Sequence, residues 1–261
     1  LPRVGASLVR LSAGLFALFF AAPVLILLWR ALAGGSLRSI RQPLVVHALS
    51  LTVATTAITV GLSVLLGTPL SFLLARRRFP GRQALETLLT LPLVLPPLVA
   101  GVALLVAFGR RGVLGQPLDQ AGLSIPFTTT AVVLAQLFVA GPFFVRAARI
   151  GFGAVSREME EAAMASGAGS WEVFRRVILP LSLPGFVSGI VLCAARAFSE
   201  FGATLMFAGN IEGRTQTMAL AIETAIQTDL NVALALSLVL VVMAAVALAV
   251  PLLLLHGTEA L

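Results

Sequence analysis

Glu161-Ala162-Ala163, then Gly167 after three residues, then Val177-Ile178-Leu179-Pro180 after nine more, sit in a polar island between two long apolar segments. The island carries Arg and Glu and therefore belongs in water. Its small residues leave room for another backbone to approach closely. What surrounds the island decides the fold.

Apolar residues make up 59% of the chain and charged residues only 11%. Soluble domains carry roughly a quarter charged residues, so this is a polytopic, all-α integral membrane protein. All 18 basic residues are Arg, and neither Lys nor Tyr occurs. A phosphate-cradling P-loop needs a Gly-Lys-Ser/Thr step, which a chain without Lys cannot supply. One cysteine, Cys193, excludes an internal disulfide and a multi-cysteine metal site. His47 and His256 are far apart and neither sits in a His-Glu-x-x-His zinc motif. The net charge of +7 would suggest nucleic acid in a soluble chain; in a membrane protein it is first a topology signal.

A bilayer core of about 30 Å needs roughly 20 mostly apolar residues per helix. Six spans meet that standard: Val9–Leu32, His47–Ala75, Leu85–Phe108, Thr128–Val145, Leu181–Leu205 and Val232–Leu255. The first has a competing reading. Arg3, Arg10, the apolar run and Ala31-Leu32-Ala33 also resemble a cleavable signal peptide, although the run exceeds the usual h-region of about 7–15 residues. No tandem repeat or low-complexity linker appears, so residues 1–261 read as a single membrane domain.

Arginines orient the bundle. Arg3, Arg10, Arg76, Arg77, Arg78, Arg82, Arg146, Arg149, Arg157, Arg175 and Arg176 fall on one side. Arg30, Arg38, Arg41, Arg110, Arg111 and Arg214 fall on the other, and Arg196 lies within a span. The positive-inside rule puts the richer side, both termini and the island in the cytoplasm. The last external loop, Met206–Asn231, is long enough for a short helix near Thr217–Gln227.

Within the island, Ser156 can cap a helix whose first turns carry Glu158, Glu160 and Glu161, where negative charge suits the helix dipole. Gly167 and Gly169 stop it. Ser170 can cap a second helix through Trp171, Val173, Phe174 and Val177, and Pro180 lacks the N–H to continue it. Trp171 and Phe174 would be apolar knobs for a partner's groove. An amphipathic pair lying on the membrane surface fits these residues equally well.

A resemblance separates the two readings. The island is similar to the "EAA" motif of binding-protein-dependent ABC importer permeases: Glu-Ala-Ala, three residues, Gly, nine residues, Ile-x-Leu-Pro, with Val177 in place of Ile as the sole departure. The resemblance implies a type I importer permease fold and a coupling segment over residues 156–180, between spans four and five. Glu160, Glu161, Ala162, Ala163, Gly167, Trp171, Phe174, Leu179 and Pro180 would then meet an ATPase subunit. ATP and Mg would be bound by that ATPase and no cofactor by this chain, which would be a non-catalytic subunit.

Two further stretches resemble the molybdate/sulfate permease subgroup. One is Phe79-Pro80-Gly81-Arg82 followed by Leu91-Pro92-Leu93-Val94-Leu95-Pro96-Pro97. The other is Arg196-Ala197-Phe198-Ser199-Glu200-Phe201-Gly202-Ala203-Thr204 with Asn210-Ile211-x-Gly213 after it. Gly109-Arg110-Arg111-Gly112 looks most like molybdate permeases; tungstate permeases are not separable from these by sequence, and sulfate or thiosulfate permeases share much of the pattern. The resemblance implies a homodimeric pore in a bacterial or archaeal cell (inner) membrane, two ATPases below, and a periplasmic or lipid-anchored oxyanion-binding protein above. Lipid is a partner; nucleic acid is not.

Inside the spans, Pro92, Pro96 and Pro97 each remove a backbone donor. Broken backbone at membrane depth is tolerated where it is packed in protein or lines a wet cavity, and interrupted helices recur at transporter sites. A simple packing kink is the plainer alternative. Arg196 and Glu200 share a helix face at i, i+4, in the order that supports a helix less well. Intramembrane charges usually face a bundle interior or a wet cavity, so the pair is a candidate outer gate, with Gly202 allowing close helix approach. Arg110, Arg111, Asn210 and Arg214 are candidates for meeting the binding protein, or simply interfacial. After Pro251 the sequence leaves no room for a regulatory domain. A membrane enzyme would need clustered catalytic side chains that only Arg196 and Glu200 approach; a passive channel or secondary transporter is the other rival.

Overall fold

The computed structural model describes residues 3–256, with side chains described from residue 8 to residue 249. The extreme termini, on which part of the expected orientation rests, and the side chains of Arg3 and Pro251 lie outside the described residues. Helices in chain order are α1 (Arg3–Ala33), α2 (Pro43–Arg76), α3 (Arg82–Val94), α4 (Pro97–Phe108), α5 (Gly115–Gln120), α6 (Thr129–Ala154), α7 (Arg157–Ala165), α8 (Ser170–Val173), α9 (Leu179–Phe198), α10 (Gly202–Ala208), α11 (Met218–Thr228) and α12 (Leu230–His256). Among the described residues, five helical runs are long and apolar enough to cross a membrane: α1, α2, α6, the continuous run Ser170–Phe198 and α12; α3 and α4 make a sixth if taken as one bent span.

Helix α6 is the axis of the bundle, with α2 on one side and α9 on the other. Lipid tails are as apolar as leucine, so helices associate in a bilayer through close packing rather than water exclusion. Glycines make that packing possible. A Cβ on Gly185 would sit 2.5 Å from the Gly151 Cα, and one on Gly151 would sit 2.9 Å from the Ser182 carbonyl oxygen. Just above this crossing, Gly67 of α2 and Gly189 of α9 both face the fully buried Phe144, whose ring atoms would lie 2.8 and 3.1 Å from their added Cβ atoms. Phe72, Phe152, Phe174 and Phe186 extend the cluster edge to face, with Phe72–Phe152 centroids 5.5 Å apart and Phe144–Phe186 centroids 5.1 Å apart.

A second core of Ala100, Leu104, Val132, Val139 and Phe207 joins α4, α6 and α10, and a third of Val45, Ala48, Met218 and Leu236 joins α2, α11 and α12. Helix α1 stands apart: none of its side chains from Leu8 to Arg30 is buried, and among the described residues it packs mainly on α12 and the turn before α2.

The buried face of α2 is hydroxylic. Thr52, Ser63 and Ser71 each donate to the carbonyl one turn back, at 2.7, 2.8 and 2.6 Å. In lipid this satisfies groups that water would otherwise serve. Thr52 also accepts from the Met218 N–H at 2.8 Å, at the start of α11. Thr52→Val keeps the shape and strands that N–H, so a loss of about 1 kcal/mol is expected, read as a lowered unfolding midpoint in detergent.

The helices depart from the expected spans in four places. The expected span Leu85–Phe108 is two helices bent by 119°. Pro96 and Pro97 bring no N–H, so helical bonding stops with Leu95 N–H on the Leu91 carbonyl and restarts with Ala100 N–H on the Pro96 carbonyl. Pro92 causes no break and lies inside α3. The expected span Thr128–Val145 continues to Ala154, because Ala148, Gly151 and Phe152 stay buried against neighbouring helices. The expected span Leu181–Leu205 ends at Phe198 and resumes as α10.

The fourth departure is at Pro180, which does not end a helix: Phe174–Ile178 form a π-helical turn, with Leu179 N–H on the Phe174 carbonyl, and the chain runs on into α9. The wider turn accommodates the missing donor and the ring. The expected short helix in the last external loop is α11.

Candidate functional site

Two places concentrate charge and irregular backbone. The first is the α7–α8 hairpin at the arginine-rich end. Ser156 caps α7, its Oγ accepting from Met159 N–H at 3.4 Å, as its position implies. Ser170 is not a cap; Gly169 holds that position without a side-chain bond, and Ser170 is the first residue of α8. Gly167 turns the chain at φ +90°, where L side chains are strained. Glu161, Ala162 and Gly167 are exposed, Ala163 and Leu179 are half-buried, and Pro180 is exposed. Trp171 is 72% exposed, stacked on Phe174 with centroids 5.6 Å apart.

Phe174 itself corrects the sequence reading. It is not an outward knob but half-buried, its other edge on Phe72 at 5.4 Å. Of the two aromatic residues, Trp171 carries the apolar projection.

Glu160 ties the hairpin to the bundle. Its carboxylate lies 2.7 Å from Arg76 Nη1 at the end of α2, with the two side chains only 19% and 10% exposed. Arg76 was not singled out from sequence, where it is the first of three consecutive arginines. Its Nε and Nη2 are buried without a hydrogen-bond partner among the described residues, so Glu160 is the charge that compensates it.

The second place is the α9–α10 break. Arg196 Nη2 lies 2.7 Å from Glu200 Oε2, with Arg196 24% exposed and Glu200 fully buried. Glu200 is not on the same helix as Arg196: α9 has ended at Phe198. The other carboxylate oxygen, Oε1, accepts from Ala203 N–H at 2.8 Å and so caps α10. A cation thus sits at a helix C-terminus and an anion at a helix N-terminus, both favoured by the peptide dipoles.

Gln136, missed in the sequence, holds the break from the α6 side. Its Nε2 donates to the Ala197 carbonyl at 3.2 Å and its Oε1 accepts from Thr59 at 3.1 Å. A lone amide in an apolar run was the available signal. Gly202 allows the close approach inferred for it: an added Cβ would lie 3.0 Å from the Pro97 Cβ and 3.2 Å from the Leu98 nitrogen. The structure thereby brings Pro97, Gly202 and Glu200 to one place, with Pro96 beside them. Pro92 is set apart, buried against α6 and α2.

At the other end of the bundle, Arg110, Arg111 and Arg214 are exposed, and Arg110 Nε is 4.0 Å from Asp119. Asn210 departs from them. It is half-buried, its Nδ2 donating to Thr224 at 2.9 Å, which fastens the loop to α11 rather than presenting the amide outward.

Residues 67–257 match the family model described as "Binding-protein-dependent transport system inner membrane component". Over 182 residues, 70% of this chain and 69% of the relative, the sequence is 49% identical to the Molybdenum transport system permease protein ModB of Mycobacterium tuberculosis. Over 183 residues, 70% of this chain and 80% of the relative, it is 43% identical to the protein of the same name from Escherichia coli. Among solved structures, the bacterial alginate ABC transporter in complex with alginate pentasaccharide-bound periplasmic protein superposes with TM-score 0.70 at 14% identity, covering 98% of this chain and 94% of that one. The expected type I importer permease fold is therefore the fold observed. The chain belongs to the family of binding-protein-dependent transport system inner membrane components.

Proposed function

We propose that this chain is the membrane-spanning permease subunit of an ATP-driven importer of molybdate, or of the closely similar tungstate ion. The observation that carries this reading is the exposed α7–α8 hairpin, which presents Glu161, Ala162, Gly167 and Trp171 on a chain resembling molybdenum permeases. A hairpin of that shape fits a cleft in a separate ATPase. The arginine-rich end, with the hairpin, then faces the cytoplasm, and two copies flank the path.

Without Lys the chain brings no P-loop of its own. It supplies no catalytic step; ATP and Mg belong to the partner, and closure of two ATPases drives the hairpins. A tight site for a divalent oxyanion in the path would trap it. High affinity belongs to a soluble binding protein that docks at the opposite end, near Arg110, Arg111 and Arg214.

Two experiments test the reading. Purification of the intact complex is expected to bring down a P-loop ATPase, and uptake into liposomes to require ATP; ATP-independent uptake would overturn it in favour of a channel or secondary transporter. Calorimetry of the cognate binding protein is expected to show molybdate and tungstate binding well ahead of sulfate; the reverse order would make this a sulfate importer subunit.

The α9–α10 break is the proposed outer gate. Glu200→Gln keeps an acceptor for Ala203 N–H but removes the charge beside Arg196. Uptake is expected to fall about tenfold, equivalent to ~1.4 kcal/mol, with assembly intact. Unchanged uptake would remove Glu200 from the gate.

A further inference from the structure

At the arginine-rich end, α3 and α6 enclose a cavity of about 440 Å³ lined by Gln83, Glu86, Thr87, Thr90, Arg146 and Arg149. Leu89, Pro142 and Val145 form its floor and are also walls of a second groove, of about 390 Å³, that runs on between α2, α3 and α6 past Leu66, Leu70, Leu88 and Phe138. The polar chamber and the apolar groove thus adjoin across these three residues.

The charges in the chamber do not balance. Glu86 is shared by Arg82, at 2.8 Å, and Arg149, at 3.1 Å. Arg146 is exposed and has no ion pair among the described residues. Two guanidiniums, Arg146 and Arg149, therefore line the chamber with one carboxylate, which Arg82 also draws on from outside the lining. The Thr87 and Thr90 hydroxyls are already spent on the Gln83 and Glu86 carbonyls, at 2.9 and 2.7 Å, so the unbalanced positive charge is left to an outside anion.

We propose that chamber and groove together bind one anionic phospholipid, with its phosphate at Arg146 and an acyl chain along the groove. Basic pockets between transmembrane helices hold anionic head groups by this combination of charge and depth. A free oxyanion satisfies Arg146 but has no use for the apolar groove. A helix from a second copy fills the groove but leaves Arg146 without an anion. One lipid does both.

The test is native mass spectrometry of the full chain, in the assembly in which it purifies, loaded with an equimolar mixture of phosphatidylglycerol and phosphatidylcholine. Phosphatidylglycerol is expected to be retained preferentially, and Arg146→Ala to lower its retention about fivefold, as the loss of one arginine near an anionic head group implies. Leu88→Gln, at the exposed rim of the groove, is expected to weaken it as well, and covers the case in which the arginine variant does not fold. Millimolar inorganic phosphate is expected to leave the lipid in place. Equal retention of the two lipids, retention unaffected by both variants, or displacement by phosphate would each overturn the proposal. Occupation of the groove by a second copy would show as no Arg146-dependent adduct.

Discussion

Replacing Gly185 by leucine is expected to abolish recovery of folded protein. The α6–α9 crossing is a backbone contact: a Cβ at this position would lie 2.5 Å from the Gly151 Cα and 3.1 Å from the Ala147 carbonyl oxygen. Carbon atoms in contact prefer about 3.5–4.0 Å, so even alanine forces the two helices apart. Leucine adds three more carbons to the same gap, and overpacking by far less costs about 1–3 kcal/mol.

The separation would also lift Gly189 off Phe144, because that notch lies one turn along the same helix. Thus one substitution undoes the principal core. Gly153 is the control, on α6 but with open space where its Cβ would be; Gly153→Leu is expected to express normally. The comparison is made by size-exclusion profile and by unfolding midpoint. A folded Gly185→Leu protein with an unchanged midpoint would show that the helices cross elsewhere.

Glu160→Arg is expected to lower ATP-driven uptake about a hundredfold while ATP hydrolysis by the assembled complex continues. The Glu160 carboxylate is the compensating charge for a guanidinium that is only 10% exposed, and reversal sets two guanidiniums against each other in its place. Breaking a pair this buried costs about 3–5 kcal/mol, and ~3 kcal/mol is already more than a hundredfold. What is lost is the tie between α7 and the end of α2, so a hairpin pushed by its partner no longer carries α2 with it. Arg76→Glu in the same chain restores the pair with its polarity exchanged, and uptake is expected to recover at least about tenfold. Normal uptake by the single variant would mean that force passes through α8 and the π-helical turn alone.

The hairpin was legible in the sequence because its pattern is contiguous: a capping serine, acidic first turn, small residues and a glycine are all local chemistry. The prolines marked irregular backbone within the expected span Leu85–Phe108 but not where the helix breaks, since Pro92 lies inside α3 and only Pro96 and Pro97 stand at the bend. The break at Ser199–Phe201 was not legible. Ser199, Glu200 and Gly202 mark polarity there without marking a helix end, and the break is held by Gln136, 61 residues from the carbonyl it binds. Pro180 misled because the π-helical turn that accommodates it depends on the packing of Phe174. Phe174 misled in turn because its partners, Phe72 and Phe152, come from other helices. Arg76 had two arginine neighbours, and only the fold picks out the one that meets Glu160.

The notch around Phe144 has a bearing on how the chain is made. Gly67 emerges from the ribosome before Phe144, but Gly189 follows it by 45 residues. At about 5–20 residues per second, that leaves roughly 2–9 s in which the ring has α2 on one side and nothing of its own chain on the other. The nascent protein must therefore pass through a stage with its largest aromatic cluster open to lipid or to the insertion machinery, and it closes only when α9 arrives. Translation speed between Phe144 and Gly189 thus becomes a variable in the yield of this protein, independent of anything that its finished structure does.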